Sequence, residues 1–308
     1  MRTTVLLTAV ALIVVATLPL TLAAQAQNAP ARESSDFMPL IARAASNEER
    51  ALESPAQFQF QETLEWSWGT ETRTVIETTE GRADRIVSFR DQPVTPEQQA
   101  KQQRRLEKLL NDKDAVREEL QDQRSESQRR IKMVRAFPLA FIFDPAVHEA
   151  DGLLKFTFRP NPNFSPRDRE TQMYRGMEGT VWIDVTQGRI IRIEGKLVKD
   201  VSFGWGIFGK LYKGGKYEIA QTEISHGVWR ITTLNVDVKG RVFVFGSFKF
   251  FRKESNSHLS STPASMTYRH AIEILLAEAP SDAAKPKDFA SPGAVQPPSR
   301  PLRLLSPF

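Results

Sequence analysis

Apolar and polar residues alternate along most of the middle of the chain, the period of half-buried β-strands. Phe58, Phe60, Leu64, Trp66 and Trp68 alternate with Gln, Glu and Ser, and Leu154, Phe156 and Phe158 with Lys155, Thr157 and Arg159. Val181, Ile183 and Val185 repeat the pattern, as do Ile191, Ile193 and Leu197 opposite Arg192, Glu194 and Lys196. Leu234, Val236 and Val238 run into Val242, Val244, Gly246, Phe248 and Phe250 across Lys239-Gly240, which reads as a hairpin signal. Asp184 to Gly188 is a second turn between alternating runs. With 70–79 and 85–89 these make about nine or ten strands, and their turn-length links predict an antiparallel meander. Strand-helix-strand alternation is missing, so a doubly wound fold is excluded.

One segment breaks the period. Over 96–135, Leu106, Leu109, Val116, Leu120, Ile131 and Val134 form a narrow apolar stripe on an otherwise charged helix, or on two helices meeting near Asn111 to Asp114. Thr95 is its expected N-cap, Pro96 its first residue, and Phe137-Pro138 its expected end. Such a stripe suits a helix lying across one sheet face.

Both ends differ from this middle. Met1 and Arg2 precede an apolar run from Val5 to Leu22, and Ala24-Gln25-Ala26 fits an export-signal cleavage site, so 1–26 reads as a signal peptide. An uncleaved membrane anchor is the alternative, and the bacterial look of the signal points to the periplasm. Residues 27–46 read as an N-terminal tether or a frayed N-terminal helix, with a short helical pattern near Phe37 to Ala45. Residues 279–308 carry Pro280, Pro286, Pro292, Pro297, Pro298, Pro301 and Pro307, and read as a disordered tail. Its last stretch, Leu302 to Phe308, is apolar enough for a docking peptide. The domain expected between these ends is 47–278, with the helical insertion 96–135.

Composition narrows the chemistry. Cys is absent from the 308 residues, which excludes disulfides, thiolate metal sites and cysteine catalysis. A formal charge of +5 is small for this length and argues against a dedicated nucleic-acid binder. His148, His226, His258 and His270 lack ligand spacing, and no serine has a nucleophile-elbow context. No catalytic residue, metal ligand or cofactor is therefore assigned. Gly204-Trp205-Gly206-Ile207-Phe208-Gly209 matches G-x-G-x-x-G, but turn and strand residues follow it where a dinucleotide site requires a helix. Its aromatics suit either the lip of an apolar cavity or a plug at the end of the sheet. The surplus of aromatics, with 19 Phe and 5 Trp, leaves Val242 to Phe251 apolar on both faces and calls for a cover: helix, partner or ligand.

The run from Phe158-Arg159-Pro160-Asn161 through Gly179-Thr180-Val181-Trp182-Ile183-Asp184 and Ile193-Glu194-Gly195 to Gly204-Trp205-Gly206 resembles exported bacterial proteins of the outer-membrane lipoprotein-sorting type, the LolA, LolB and RseB group. The resemblance spans about 55–255 and is best over 156–230. It implies an α+β, mostly β fold: a curved antiparallel half-barrel whose concave side is capped by helices and holds acyl chains. It transfers no catalytic residue, because that group binds rather than reacts. On this basis the ligand cavity is expected among Phe58, Phe60, Trp66, Phe156, Phe158, Trp182, Trp205, Phe208, Trp229 and Phe248. The expected partner is a lipid or an acylated lipoprotein, with an envelope protein engaged through the 96–135 helix or the tail. At about 0.8 kcal/mol per methylene, shielding ten of them yields roughly 8 kcal/mol, enough for micromolar capture. The alternative is a structural or interaction protein of the envelope whose cavity is filled by its own side chains.

Overall fold

The computed structural model describes residues 37–278, except 55–56, 68, 150–151, 204–208 and 243–245. The signal peptide and the Pro-rich tail, along with Trp68, Trp205 and Phe208, lie outside the described residues.

The fold is mixed α+β and mostly strand, built on a large open antiparallel sheet. Its N-terminal meander is β1 (Phe58–Trp66), β2 (Gly69–Glu77), β3 (Arg82–Phe89) and the short β4 (Gln92–Pro93). Later come β5 (Phe141–Phe143), β6 (Val147–His148), β7 (Leu153–Pro160), β8 (Met177–Asp184) and β9 (Arg189–Leu197). The last set is β10 (Val201–Phe203), β11 (Gly209–Leu211), β12 (Lys216–Ser225), β13 (Val228–Val242) and β14 (Gly246–Ser261). Across the sheet the order is β4-β3-β2-β1-β14-β13-β12-β9-β8-β7-β5, with β10 and β11 attached beside β13 and β6 beside β7. The two halves are therefore joined only where β1 pairs with β14 along this path.

The turn at Asp184 to Gly188 stands as expected, closed by Gly188 N–H donating to Asp184 O at 2.8 Å. The expected Lys239-Gly240 turn does not form. Both residues lie inside β13, opposite Lys249 and Phe248, and the connection falls between Val242 and Gly246. Cross-strand pairing on both sides of β13 keeps these residues extended and overrides the local turn preference.

The charged segment is two helices, α2 (Pro96–Asn111) and α3 (Lys113–Ala140). Thr95 and Gln98 form a reciprocal capping box at the start of α2, and Asp112 both ends α2 and caps α3 by accepting from Asp114 and Ala115 N–H. Contrary to the expectation from the sequence, Phe137-Pro138 does not end the element; α3 runs on to Ala140. The hydrogen bond that Pro138 cannot donate is outweighed by burial of Phe137 and Ala140 on either side of it. The connection is a strap: it leaves β4 at one edge of the sheet and delivers the chain to β5 at the other. At 1.5 Å per residue, α3 alone is about 42 Å long, close to the roughly 48 Å that ten strand spacings occupy.

Residues 38–46 are not a tether. They open α1 (Met38–Glu53), in which Ile41, Ala44 and Ala45 are buried and Phe37 stacks edge-on to Phe156 at 5.6 Å. The driving force is the apolar i, i+3/i+4 face, which finds the sheet beneath it. α1 is fastened to the β8–β9 turn by its own polar side chains. Asn47 donates to Gly188 O at 2.7 Å, Arg43 donates to Val185 O, and Glu48 accepts from Ile190 N–H at 3.1 Å. A further helix, α4 (Tyr268–Ala277), is capped by Thr267 and packs Ala271, Ile272 and Leu275 with Ile76, Ala83, Leu106 and Leu109.

Candidate functional site

Residues directly opposed in a sheet project to the same face, so the register traces that face strand by strand. One row reads Glu71, Leu64, Glu254, Leu234, Ile219, Ile193, Val181, Phe156 from β2 to β7. The next reads Trp66, Arg252, Val236, Tyr217, Gly195, Gly179, Phe158, Phe143 from β1 to β5. The face is thus apolar over β5 to β13 and charged over β14 to β3.

The apolar half is filled from within. Met133, Phe137 and Ala140 of α3 and Ile41 and Ala44 of α1 share one buried cluster with Phe156, Phe158, Val181, Leu234 and Val236. Phe137 is ringed by Phe141 at 5.2 Å, Phe143 and Phe158 at 5.6 Å and Tyr174 at 6.4 Å. Tyr174 is buried and donates its hydroxyl to Met133 O at 2.9 Å, and burial pushes its ionisation upward. Tyr217 lies across the strands and donates to Glu178 O at 3.3 Å. The facing glycines 179 and 195 make that possible: a Cβ on Gly195 would stand 2.4 Å from the Tyr217 hydroxyl and 2.1 Å from Glu178 O. This gives the glycines of the Gly-Thr-Val-Trp-Ile-Asp and Ile-Glu-Gly runs a packing reason.

The charged half is a lattice of alternating signs. Arg82 holds Glu62 at 2.9 Å, Arg73 bridges Glu71 and Asp84, Arg105 of α2 reaches Asp84 at 3.3 Å, and Arg252 holds Glu254 at 2.6 Å. Glu62 is only 2% exposed. Burial alone would raise its carboxyl, but Arg82, Arg73 and Arg252 outweigh that and hold it below the ordinary carboxylate range. Asp84 is likewise held low by Arg105, Arg73 and Arg82 against its own burial. Further along β13, Arg230 grips Glu77 with two bonds of 2.8 and 2.7 Å and lies over the Phe60 ring at 4.1 Å. Arg252 lies over Trp66 at 5.3 Å.

The expected cavity residues are not gathered into one place. Phe58, Phe60, Trp66, Phe156 and Phe158 share the face, but Phe58 and Phe60 pack with Val75 in a cluster separate from that of Phe156 and Phe158. Trp182 projects to the opposite face, where Lys155 and Arg192 flank its ring at 5.7 and 5.3 Å. Trp229, on the rim, donates its indole N–H to Gln187 at 2.9 Å. Phe248 pairs with Gly240 in the ladder, and its side chain is outside the described set. No protein-family model matches this chain, and no curated protein and no solved structure matches it.

The Gly-rich run ends at Gly209, which begins strand β11. Among the described residues no group of three or more His, Asp or Glu is placed to hold a metal ion. The charged lattice was not read from the sequence, although a signal for it exists. Glu62 occupies the same strand phase as Phe58, Phe60, Leu64 and Trp66, and a carboxylate in the apolar phase of a strand must be buried beside cations.

Proposed function

We propose that this chain is an exported, non-enzymatic interaction protein of the cell envelope, a half-barrel whose concave face is filled by its own helices. The observation that supports this reading is the ring of aromatics around Phe137, because those side chains occupy the volume an acyl chain would take. Partners are engaged through the solvent faces of the charged helices or through the Pro-rich tail. The second reading, a carrier of a lipid or a lipoprotein acyl chain, is favoured by one feature: the apolar half of the face runs directly into Arg252, Trp66 and Glu254, an arrangement matched to a chain with a polar head. In that reading α1 and the end of α3 lift to admit the chain.

Native mass spectrometry of the full chain purified from a bacterial envelope, before and after organic extraction, separates the two. The interaction reading expects a bare mass and no uptake of a fluorescent fatty acid. A bound mass in the lipid range that extraction removes overturns it in favour of the carrier.

A further inference from the structure

Basic side chains gather at one end of the sheet, around the segment that leads into β8. Arg167, Arg169 and Arg175 project from that segment and its 3-10 helix (Thr171–Gly176), all exposed. Lys132 of α3 reaches the same segment, 3.2 Å from Asp168. Lys199 borders it from the far side: its side chain and carbonyl would touch a Cβ placed on Gly176. Arg169 lies over the ring of Phe203 in β10 at 5.9 Å, which joins the segment to the β10–β11 ribbon. There Asp200 is shared between Lys210, at 2.8 Å, and the Lys213 backbone N–H, also at 2.8 Å. Lys132 and Lys210 are thus answered by Asp168 and Asp200, whereas Arg167, Arg175, Lys199 and Lys213 form no ion pair with a described residue.

We infer that this end of the sheet is a docking surface for an anionic phospholipid bilayer. The cations come from three elements that pack together, so they form a field over an area and not a line along one helix. Clustered basic side chains of this kind gain about 1 kcal/mol each from an anionic membrane surface. Tyr212 stands half-buried in the same patch with the Lys210 ammonium 5.9 Å from its ring, the pairing of ring and cation that suits the headgroup layer. Asp168, Glu170 and Asp200 also stand in this patch, against the seven cations Lys132, Arg167, Arg169, Arg175, Lys199, Lys210 and Lys213, whereas the cations of α2 lie along a single helix with Glu97 and Glu107. The inference holds whether the face of the sheet is filled or open.

The test is co-sedimentation of the full chain with phosphatidylglycerol vesicles and with phosphatidylcholine vesicles at low and high salt. Binding to the anionic vesicles alone, weakened by salt, is expected. The triple variant Arg167→Gln, Arg175→Gln, Lys199→Gln should bind about a hundredfold more weakly, at roughly fivefold per charge. A charge-matched control, Lys101→Gln, Arg104→Gln, Lys108→Gln on α2, should lose less than threefold, with circular dichroism confirming that both variants are folded. Equal losses in the two variants, or binding that ignores both salt and substitution, overturn the inference, the latter assigning attachment to the apolar N-terminal segment. Retention of single-stranded DNA with no retention of vesicles overturns it as well.

Discussion

Replacing Phe137 with Ala tests whether the end of α3 is a fixed part of the core. The side chain is buried and meets Phe141, Phe143, Phe158 and Tyr174 at ring distances of 5.2 to 6.4 Å. Truncating a buried Phe costs about 3–5 kcal/mol, and loss of several edge-on ring contacts places this site at the upper end. For a domain of this size that is a fall of about 10–20 °C in melting temperature. Urea unfolding followed by tryptophan fluorescence, with calorimetry alongside, measures both. Leu139→Ala is the control two residues on: Leu139 is 67% exposed, and its truncation should change stability by less than about 0.5 kcal/mol. A loss under about 1 kcal/mol for Phe137→Ala, with helix content intact, would refute the reasoning. The end of α3 would then rest on the sheet without being anchored there, as a lid does.

Three further outcomes follow from the same contacts. Glu62→Gln leaves the part-exposed Arg82 beside a neutral amide and should cost about 1–3 kcal/mol near neutral pH. Because the Glu62 carboxyl is held below its ordinary range, its contribution is present above that range and lost as pH falls through the lowered value. Urea midpoints of wild type and variant should therefore converge between about pH 5 and pH 2, and parallel curves would sink the idea. Arg85→Met removes the bonds from Arg85 to Leu275 O at 2.6 Å and Glu278 O at 2.9 Å, and should cost roughly 2–3 kcal/mol with faster hydrogen exchange confined to α4. Unchanged protection in α4 would assign the Arg85 bonds no role in holding it. Gly195→Ala should destabilise by several kcal/mol, and adding Tyr217→Phe should not restore it, because the new methyl still meets Glu178 O. Rescue by the double variant would mean that the glycine makes room for the hydroxyl alone.

Strand positions were legible because the sheet has one apolar face over most of its width, and period-two alternation records that. The strap was legible through its caps: Thr95 with Gln98, and Asp112 at the joint. Pro138 misled because a local rule was set against burial of Phe137, which only the tertiary fold reveals. Lys239-Gly240 misled for the same reason, with ladder bonds replacing turn propensity. α4 carries a readable pattern in Thr267, Tyr268, Ala271, Ile272 and Leu275, left unassigned in the sequence reading. The candidate site was the least legible part. Alternation tells which residues share a face of one strand, but Trp182 and Phe156 come from strands whose relative register decides their sides. The charged lattice needs β1, β2, β3, α2 and β14 at once, and no local window contains them.

The seam between β1 and β14 sets the order in which this sheet is able to form. Phe58 meets Ser261, so some two hundred residues of chain must be made before the two halves join. A chain emerging N-terminus first presents the β1–β4 meander early, with one long edge unpaired and its Arg and Glu side chains unanswered by Arg252 and Glu254. Unpaired edges of that length recruit other strands, so the waiting intermediate is the aggregation-prone species and suits capture by a chaperone. Truncation before β14 should leave two separate meanders rather than a smaller sheet.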